Sequence, residues 1–426
     1  MQGNSPRRVL FASLIGTTIE FFDFYIYAQA AVLVFPKLFF PASDPATATL
    51  QSLATFALAF FARPVGSAVF GHYGDRIGRK ATLVAALLTM GLSTVLIGLL
   101  PTYATAGLLA PVLLAVCRFG QGFGLGGEWG GAVLLATENA PAGKHNWYGM
   151  FPQLGAPIGF ICSAGMFLIL DRYLNAAQFM AWGWRVPFMA SALLVLVGLY
   201  VRLRIEETPA FRRTLANNER VKVPIAEVFL RHGGTLLLGT FAAVAVFVVF
   251  YLMTVFALSW GTSKLGYSRH DFLVLQMVGM VFFGIAIPLS ALLADRFNPR
   301  SVLMAATAAM VLFGLVFAPL LAAASPASVL VCLALGLALM GFGYGPLGAA
   351  LAALFPTAVR YTGASLSFNF AGIIGASLTP YVATWLATGY GLAAVGYYLS
   401  GAAVITLIAL LLVSRTAMVP RRPVAE

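Results

Sequence analysis

The sequence predicts an all-α membrane protein with about twelve spanning helices in two six-helix bundles. Three observations carry this. Hydrophobic residues make up 60% of the chain and charged residues only 9%, with a mean hydropathy of +0.90; soluble chains run near about 45–50% apolar and about 25% charged. Apolar runs of spanning length, roughly 20 residues, recur about twelve times between polar or Pro- and Gly-rich breaks. One long charged segment then divides these runs into six and six.

The runs lie near 9–35, 50–73, 81–100, 105–137, 147–170, 184–204, 233–260, 271–294, 301–322, 326–353, 361–387 and 391–414. The first follows Arg7 and Arg8, as the apolar core of a signal peptide would. It is too long for such a core and lacks a convincing cleavage site, so it reads as a retained helix. The dividing segment carries "RIEETPAFRRTLANNERVKVP", rich in both signs. It reads as a linker with amphipathic pieces lying on an anionic leaflet. The expected organisation is an N-terminal bundle over 1–204, a cytoplasmic linker over 205–232, and a C-terminal bundle with a short tail over 233–426.

The net charge is +12, but its placement argues against a nucleic-acid partner. With the N-terminus in the cytoplasm and sides alternating, cytoplasmic ends and loops hold 19 of the 26 Lys and Arg. Lys37, Arg172, Arg185, Lys264 and Arg269 fall outside, and Arg63 and Arg118 within helices. This is the positive-inside bias, and both termini are expected in the cytoplasm. Cys117, Cys162 and Cys332 fall inside apolar runs and fit neither a disulfide framework nor a zinc site; packing is their expected role. His72, His145, His232 and His270 lie at run ends or in loops. No metal, cofactor or enzyme nucleophile is expected.

An internal match indicates duplication. "GHYGDRIGRK" (71–80) follows the second run and "ALLADRFNPR" (291–300) the eighth, placing Asp75-Arg76 and Asp295-Arg296 220 residues apart. "ENAPAGKH" follows the fourth run and "ALFPTAVR" the tenth, so Pro141 corresponds to Pro356 and His145 to Arg360. Asp75 stands near a helix C-terminus, where the helix dipole disfavours an anion. It therefore needs a partner, and the start of the eleventh helix near Tyr361 is the expected one. Arg76 and Arg79 suit the helix end and the lipid surface. Gly71 and Gly78 allow close approach and a tight turn.

"GHYGDRIGRK" resembles the signature between helices two and three of the major facilitator superfamily, and "RFGQGFGLGG" (118–127) its fourth-helix motif. "EFFDFYIYA", "QGFGLGGEWGG", "FPQLGAPIGF", "WGWRVPF" and "FPTAVRYTGAS" resemble its metabolite:proton symporter branch. The resemblance covers essentially the whole chain. It implies the major facilitator fold, a monomer in a bacterial inner membrane, and a conformational gate of Gly71, Asp75, Arg76, Gly78, Arg79, Asp295, Arg296, Glu138 and Arg360. Two departures stand out. Asn298-Pro299 replaces a glycine and a base in the second signature, and Ala353 stands where the family often has glutamate, although Glu138 is kept in the first half. The gate is thus expected to rest more on the first half.

Ionisable residues inside a membrane cost roughly 2.5–3.5 kcal/mol each on insertion scales, and are read as functional by default. Glu20 and Asp23 lie mid-helix in the first run, three residues apart and so on one face. Arg63 and Arg118 lie at similar depth in the second and fourth runs, and Glu128 nearer the cytoplasm. Glu20, Asp23, Arg118 and Glu128 are the expected proton-coupling set, with one acid a fixed counter-ion and another taking up a proton. Arg118 is expected to pair with Asp23 in the empty protein. A purely structural ion-pair network is the competing reading. Arg63 has a structural alternative too, since Pro64 follows it. The glycines of "GQGFGLGGEWGG" indicate close helix contact, and Pro157 of "GAPIG" a bend in helix five. Polar groups that could meet substrate are Arg63, Arg118, Tyr251, Gln276, Asn369 and Tyr381.

Together these features predict a proton-coupled importer of a small polar metabolite, an organic acid with a zwitterion as the alternative, working by alternating access. An exchanger or facilitator on the same fold remains open, as does a membrane sensor. Substrate, protons and the lipid bilayer are the expected partners.

Overall fold

The computed structural model describes residues 6–204, 223–414 and 418, without the side chains of Pro6, Arg7, Ala46, Asp75 and Arg79. Most of the charged linker, 205–222, therefore lies outside the described residues. Twelve helices long and apolar enough to cross a membrane are present: α1 (Arg8–Leu33), α2 (Thr47–Gly74), α3 (Lys80–Leu99), α4 (Leu109–Thr137), α5 (His145–Tyr173), α6 (Gly183–Leu203), α7 (Gly233–Ser263), α8 (Arg269–Arg296), α9 (Pro299–Ala322), α10 (Pro326–Ala353), α11 (Thr357–Tyr390) and α12 (Leu392–Leu412). Each coincides with one of the apolar runs. The chain is thus a multi-pass membrane protein.

The two halves repeat one packing plan. α2 packs on α4, α1 on α5 and α3 on α6; six helices later, α8 packs on α10, α7 on α11 and α9 on α12. The halves meet chiefly through α5 against α8 and α10, and through α11 against α2 and α4. One end of the assembly carries Arg8, Lys80, Arg204 and Arg300 and is called the basic end below. There the amphipathic helix Pro224–Arg231 buries Val228 beside Phe355 and Val359 and leaves Phe229 and Leu230 exposed.

Side-chain size sets how closely these helices approach. A Cβ on Gly122 would fall 2.4 Å from the Ala59 Cα, and one on Gly126 2.0 Å from the Arg63 carbonyl oxygen. The Gly122/Gly126 spacing therefore seats α4 directly on the α2 backbone, as small residues do between membrane helices. The two signature turns are built differently. Gly78 adopts φ +120°, a conformation that costs other residues dearly. In the second half Asn298 caps α9, accepting from the Arg300 N–H at 2.9 Å, and Pro299 takes the first helical position, where its missing N–H costs nothing. The departure at Asn298-Pro299 is a second way to start the same helix.

Prolines 152 and 157 lie inside α5. α7 and α11 each contain one π-helical stretch, Leu252–Phe256 and Ile373–Ser377. Such stretches release carbonyls from the helical ladder and mark functional sites frequently. Cys332 is buried and Cys162 exposed, and all three thiols are free.

Candidate functional site

The mid-membrane core is an aromatic cage around two arginines. On α1, Phe24 and Tyr27 follow Asp23; α2 contributes Phe56 and Phe60. The Arg118 Cζ lies 3.9 Å from the Tyr27 ring centroid, 4.7 Å from Phe24 and 4.9 Å from Phe56. The Arg63 Cζ lies 4.6 Å from Phe24 and 4.8 Å from Phe60. Phe24 thus serves both cations. Cation–π contacts of this kind are worth up to about 2 kcal/mol or more when water is excluded.

The expected Arg118–Asp23 ion pair is absent among the described residues. Gln121, one turn along α4, stands between the two. Arg118 donates to the Gln121 carbonyl oxygen and at 3.4 Å to the Phe56 carbonyl. The Gln121 amide donates to the Asp23 main-chain oxygen at 3.0 Å and to Thr94 at 2.9 Å. The Asp23 carboxylate turns instead to α6, where Ser191 donates to Oδ2 at 2.8 Å. Its Oδ1 has no partner among the described residues, and Asp23 is fully buried.

Glu20 is 3% exposed, and its Oε2 has no partner among the described residues. It lies within electrostatic reach of Arg63 on one side and of Glu128 and Arg202 on the other. Arg202 is the residue that the sequence did not reveal. Counted among the end-of-helix bases, it is only 4% exposed. It turns inward past Gly16 of α1, where a Cβ would fall 2.6 Å from its guanidinium. There it pairs with Glu128 and donates to the Leu83 carbonyl, joining α3, α4 and α6.

Removing one member of a buried pair strands the other, at a cost of about 3–5 kcal/mol, whereas apolar replacement of both is often neutral. Arg202→Met is therefore expected to lower the melting temperature of the purified protein markedly, and Glu128→Met/Arg202→Met to recover most of the loss. A double variant as unstable as the single one would show that the pair is not the source. At Arg118, lysine keeps the charge but cannot reach Gln121 and Phe56 together with a planar fork. Arg118→Lys is expected to retain under a tenth of wild-type uptake in proteoliposomes while remaining folded. Full uptake would remove the fork from the mechanism.

The remaining candidates separate. Tyr251 of α7 is buried and meets Phe60 edge-on at 5.5 Å between centroids. Gln276 of α8 is buried, and its amide donates to the carbonyls of Met253 and Thr254 at 2.9 and 2.7 Å, holding the π-helical stretch of α7. Asn369 of α11 donates to Ser67 of α2 at 2.7 Å, so it ties the halves together. Tyr381 is 52% exposed and does not line the core; the face of α11 that carries it points outward. Tyr251 and Gln276 border a narrow pocket between the halves, with Tyr25, Gln29, Phe160 and Leu258. Its free volume of about 10 Å³ holds about one water.

The halves are closed on both sides of that pocket. At the basic end Asp295 accepts from the N–H groups of Asn146 and Trp147 and from the Asn146 side chain, each at 2.9 Å. These are free N–H groups at the start of α5. Gly71 and Gly74 face Thr362 and Tyr361 at the start of α11, and the Asp75 and Arg79 side chains lie outside the described residues. Tyr361 donates to the Gly127 carbonyl. Arg76 contacts His72 at 3.3 Å, and Arg296 is exposed beside Phe297. Arg360 donates to the Phe355 carbonyl at 3.2 Å, and Glu138 closes the α4 C-terminus. Nearer the centre, Trp129 stacks on Phe368 at 3.6 Å and bonds Gln153, which donates to the Tyr344 carbonyl. At the opposite end Arg269 of α8 pairs with Asp171 of α5.

Two pseudo-repeated six-helix bundles closing on a narrow pocket between them define the architecture of a membrane transporter. The chain matches the family model "Sugar (and other) transporter" over residues 9–230. It is 57% identical to the inner membrane metabolite transport protein YhjE of Escherichia coli, covering 97% of this chain and 95% of that one. It is 35% identical to the Escherichia coli shikimate transporter over 90% and 88% of the two chains. With a Salmonella typhimurium proline/betaine transporter it shares 34% identity over 97% and 84%. Among solved structures it is similar to a D-xylose–proton symporter, with a TM-score of 0.73 and 18% identity over 97% of this chain and 99% of that one. The chain belongs to the Sugar (and other) transporter family within the major facilitator superfamily. It is a transporter and not an enzyme.

Proposed function

We propose that this protein is a proton-coupled importer of a small organic acid in a bacterial inner membrane, with the basic end and both termini in the cytoplasm. The observation that carries the reading is Asp23: a buried carboxylate in the middle of α1 with no paired cation among the described residues, next to Phe24 of the arginine cage and joined to Arg118 through Gln121. Glu128, by contrast, is pinned by Arg202 and serves as the fixed counter-ion. Arg63 and Arg118 lie within electrostatic reach of Tyr251 in the pocket wall, a setting suited to a carboxylate. Relatives named for inner-membrane metabolite transport and for shikimate support the location and the substrate class. The relative named for proline and betaine shows that a zwitterion is handled on a similar chain. A membrane potential of 100 mV supplies about 2.3 kcal/mol per charge, so one extra proton per cycle supports roughly 50-fold accumulation. The test is a thermal-shift screen of organic acids and osmolytes on the purified protein, then uptake of the hits into liposomes. Accumulation above equilibrium only with an imposed inward proton gradient is expected. Uptake that merely equilibrates, whatever the gradient, would sink the coupling and leave a facilitator.

A further inference from the structure

The central pocket contains two polar atoms that the arginine and carboxylate chemistry does not use. Gln29 of α1 and Gln276 of α8 both border it, and they are 3% and 0% exposed. The orientation of each carboxamide is fixed by what its nitrogen does. Gln276 gives its N–H groups to two main-chain carbonyls, Met253 and Thr254. Gln29 gives an N–H to Ser163 Oγ at 3.1 Å, and the Ser163 hydroxyl itself donates to the Phe160 carbonyl, so Ser163 can only accept from Gln29. In both residues the carbonyl oxygen is left buried with no donor among the described residues.

A buried acceptor without a donor costs free energy that a ligand can recover. None of the other pocket walls donates to these oxygens. Ala28, Phe160, Val255 and Leu258 are apolar, Thr254 spends its hydroxyl on the Phe250 carbonyl at 2.8 Å, and the phenol hydroxyls of Tyr25 and Tyr251 do not bond either amide oxygen. Two unpartnered amide oxygens on residues that border one pocket therefore ask the substrate for O–H or N–H groups. The charge nearby narrows the choice. Arg63 and Arg118 both act electrostatically on Tyr251, which forms part of the same wall. A second cationic group in the substrate would be repelled there, whereas a neutral hydroxyl would not.

Building on the reading of this pocket as an organic-acid site, we propose that Gln29 and Gln276 are a paired hydroxyl reader. They select a hydroxylated carboxylate, its acid group toward Arg63 and its hydroxyls on the two amide oxygens, and reject quaternary-ammonium zwitterions, which have no hydrogen to donate. Sites that hydrogen-bond a substrate hydroxyl discriminate steeply against analogues lacking it, because their own polar groups are then stranded.

The test uses the full chain in lipid nanodiscs. Binding is measured for glycerate, gluconate, quinate and shikimate, for their hydroxyl-free skeletons propanoate, hexanoate, cyclohexanecarboxylate and cyclohex-1-enecarboxylate, and for glycine betaine. At least one hydroxy acid is expected to bind more than about tenfold tighter than its hydroxyl-free partner and than glycine betaine. Gln29→Met, which keeps the side-chain volume and removes the acceptor, is expected to erase about tenfold of that preference while the hydroxyl-free acids bind as before. The inference is overturned if no hydroxy acid binds, if a hydroxyl-free acid or glycine betaine binds as well, or if Gln29→Met weakens both classes alike. Should that variant fail to fold, the wild-type comparison decides alone. Proton-driven uptake of a hydroxyl-free metabolite would defeat this inference and leave the transport reading intact. Hydroxy-acid binding without gradient-driven uptake would do the reverse.

Discussion

Asp23→Asn is expected to abolish accumulation driven by a pH gradient while leaving the protein folded and able to bind substrate. The substitution is nearly isosteric, and the Ser191 hydroxyl that donates to Oδ2 can donate to the amide oxygen instead. The Gln121 bridge is untouched, because it holds the Asp23 main-chain oxygen and so preserves the register of α1 against α4. Only the capacity to bind and release a proton is lost. Proteoliposomes carrying the variant should equilibrate substrate across the membrane, so the accumulation that the imposed pH gradient sustains in the wild type disappears. Glu20→Gln is expected to weaken or shift the pH dependence rather than remove it, since Glu20 shares its surroundings with Arg63 and the Glu128–Arg202 pair. Wild-type accumulation by both variants, with unchanged proton flux, would take these carboxylates out of the coupling step.

The spans and their two-fold plan were legible because lipid imposes them: a helix must be apolar over its whole crossing, and few residues interrupt that pattern. The rare charges were legible for the same reason, and Asp23, Glu20, Arg63 and Arg118 do gather around one core. Which of them touch was not legible. Gln121, Ser191 and Gln29 are neutral polar residues in apolar helices, and nothing local sets them apart from Gln153 or Ser163. Their roles exist only once four helices converge. Arg202 was misread because a base at the end of a span ordinarily reaches out to the interface; here Gly16 opens a path inward to Glu128. Tyr381 was misplaced because lipid and core are both apolar, so a helix face carries little signal of which one it meets.

Asp295→Asn is expected to release the basic end of the transporter. The expectation that the second half contributes less to the gate, drawn from Asn298-Pro299 and Ala353, finds no support in Asp295 itself. Both its oxygens are engaged, with three donors at 2.9 Å from the start of α5. The arrangement joins an anion to the positive end of another helix, and it spans the two halves, so opening must break all three bonds at once. Hydrogen bonds to a charged group contribute about 1.5–3 kcal/mol each. Asparagine keeps one acceptor, loses the charge, and turns an N–H toward a backbone N–H. A net loss of about 2–3 kcal/mol would shift the balance between closed and open basic ends by roughly 30- to 150-fold. In a background without Cys117, Cys162 and Cys332, a thiol at Ser365, which packs against Gly130 between the halves, should label faster in the variant by a comparable factor. Turnover should fall, because the cycle stalls with that end open, and substrate binding should persist. Asp295→Glu tests the geometry separately: it retains the charge on a longer arm and should label between the two. Equal labelling with normal turnover in Asp295→Asn would reduce the contact to a local cap on α5, and the gate would then rest on the contacts of Gly71 and Gly74 with α11.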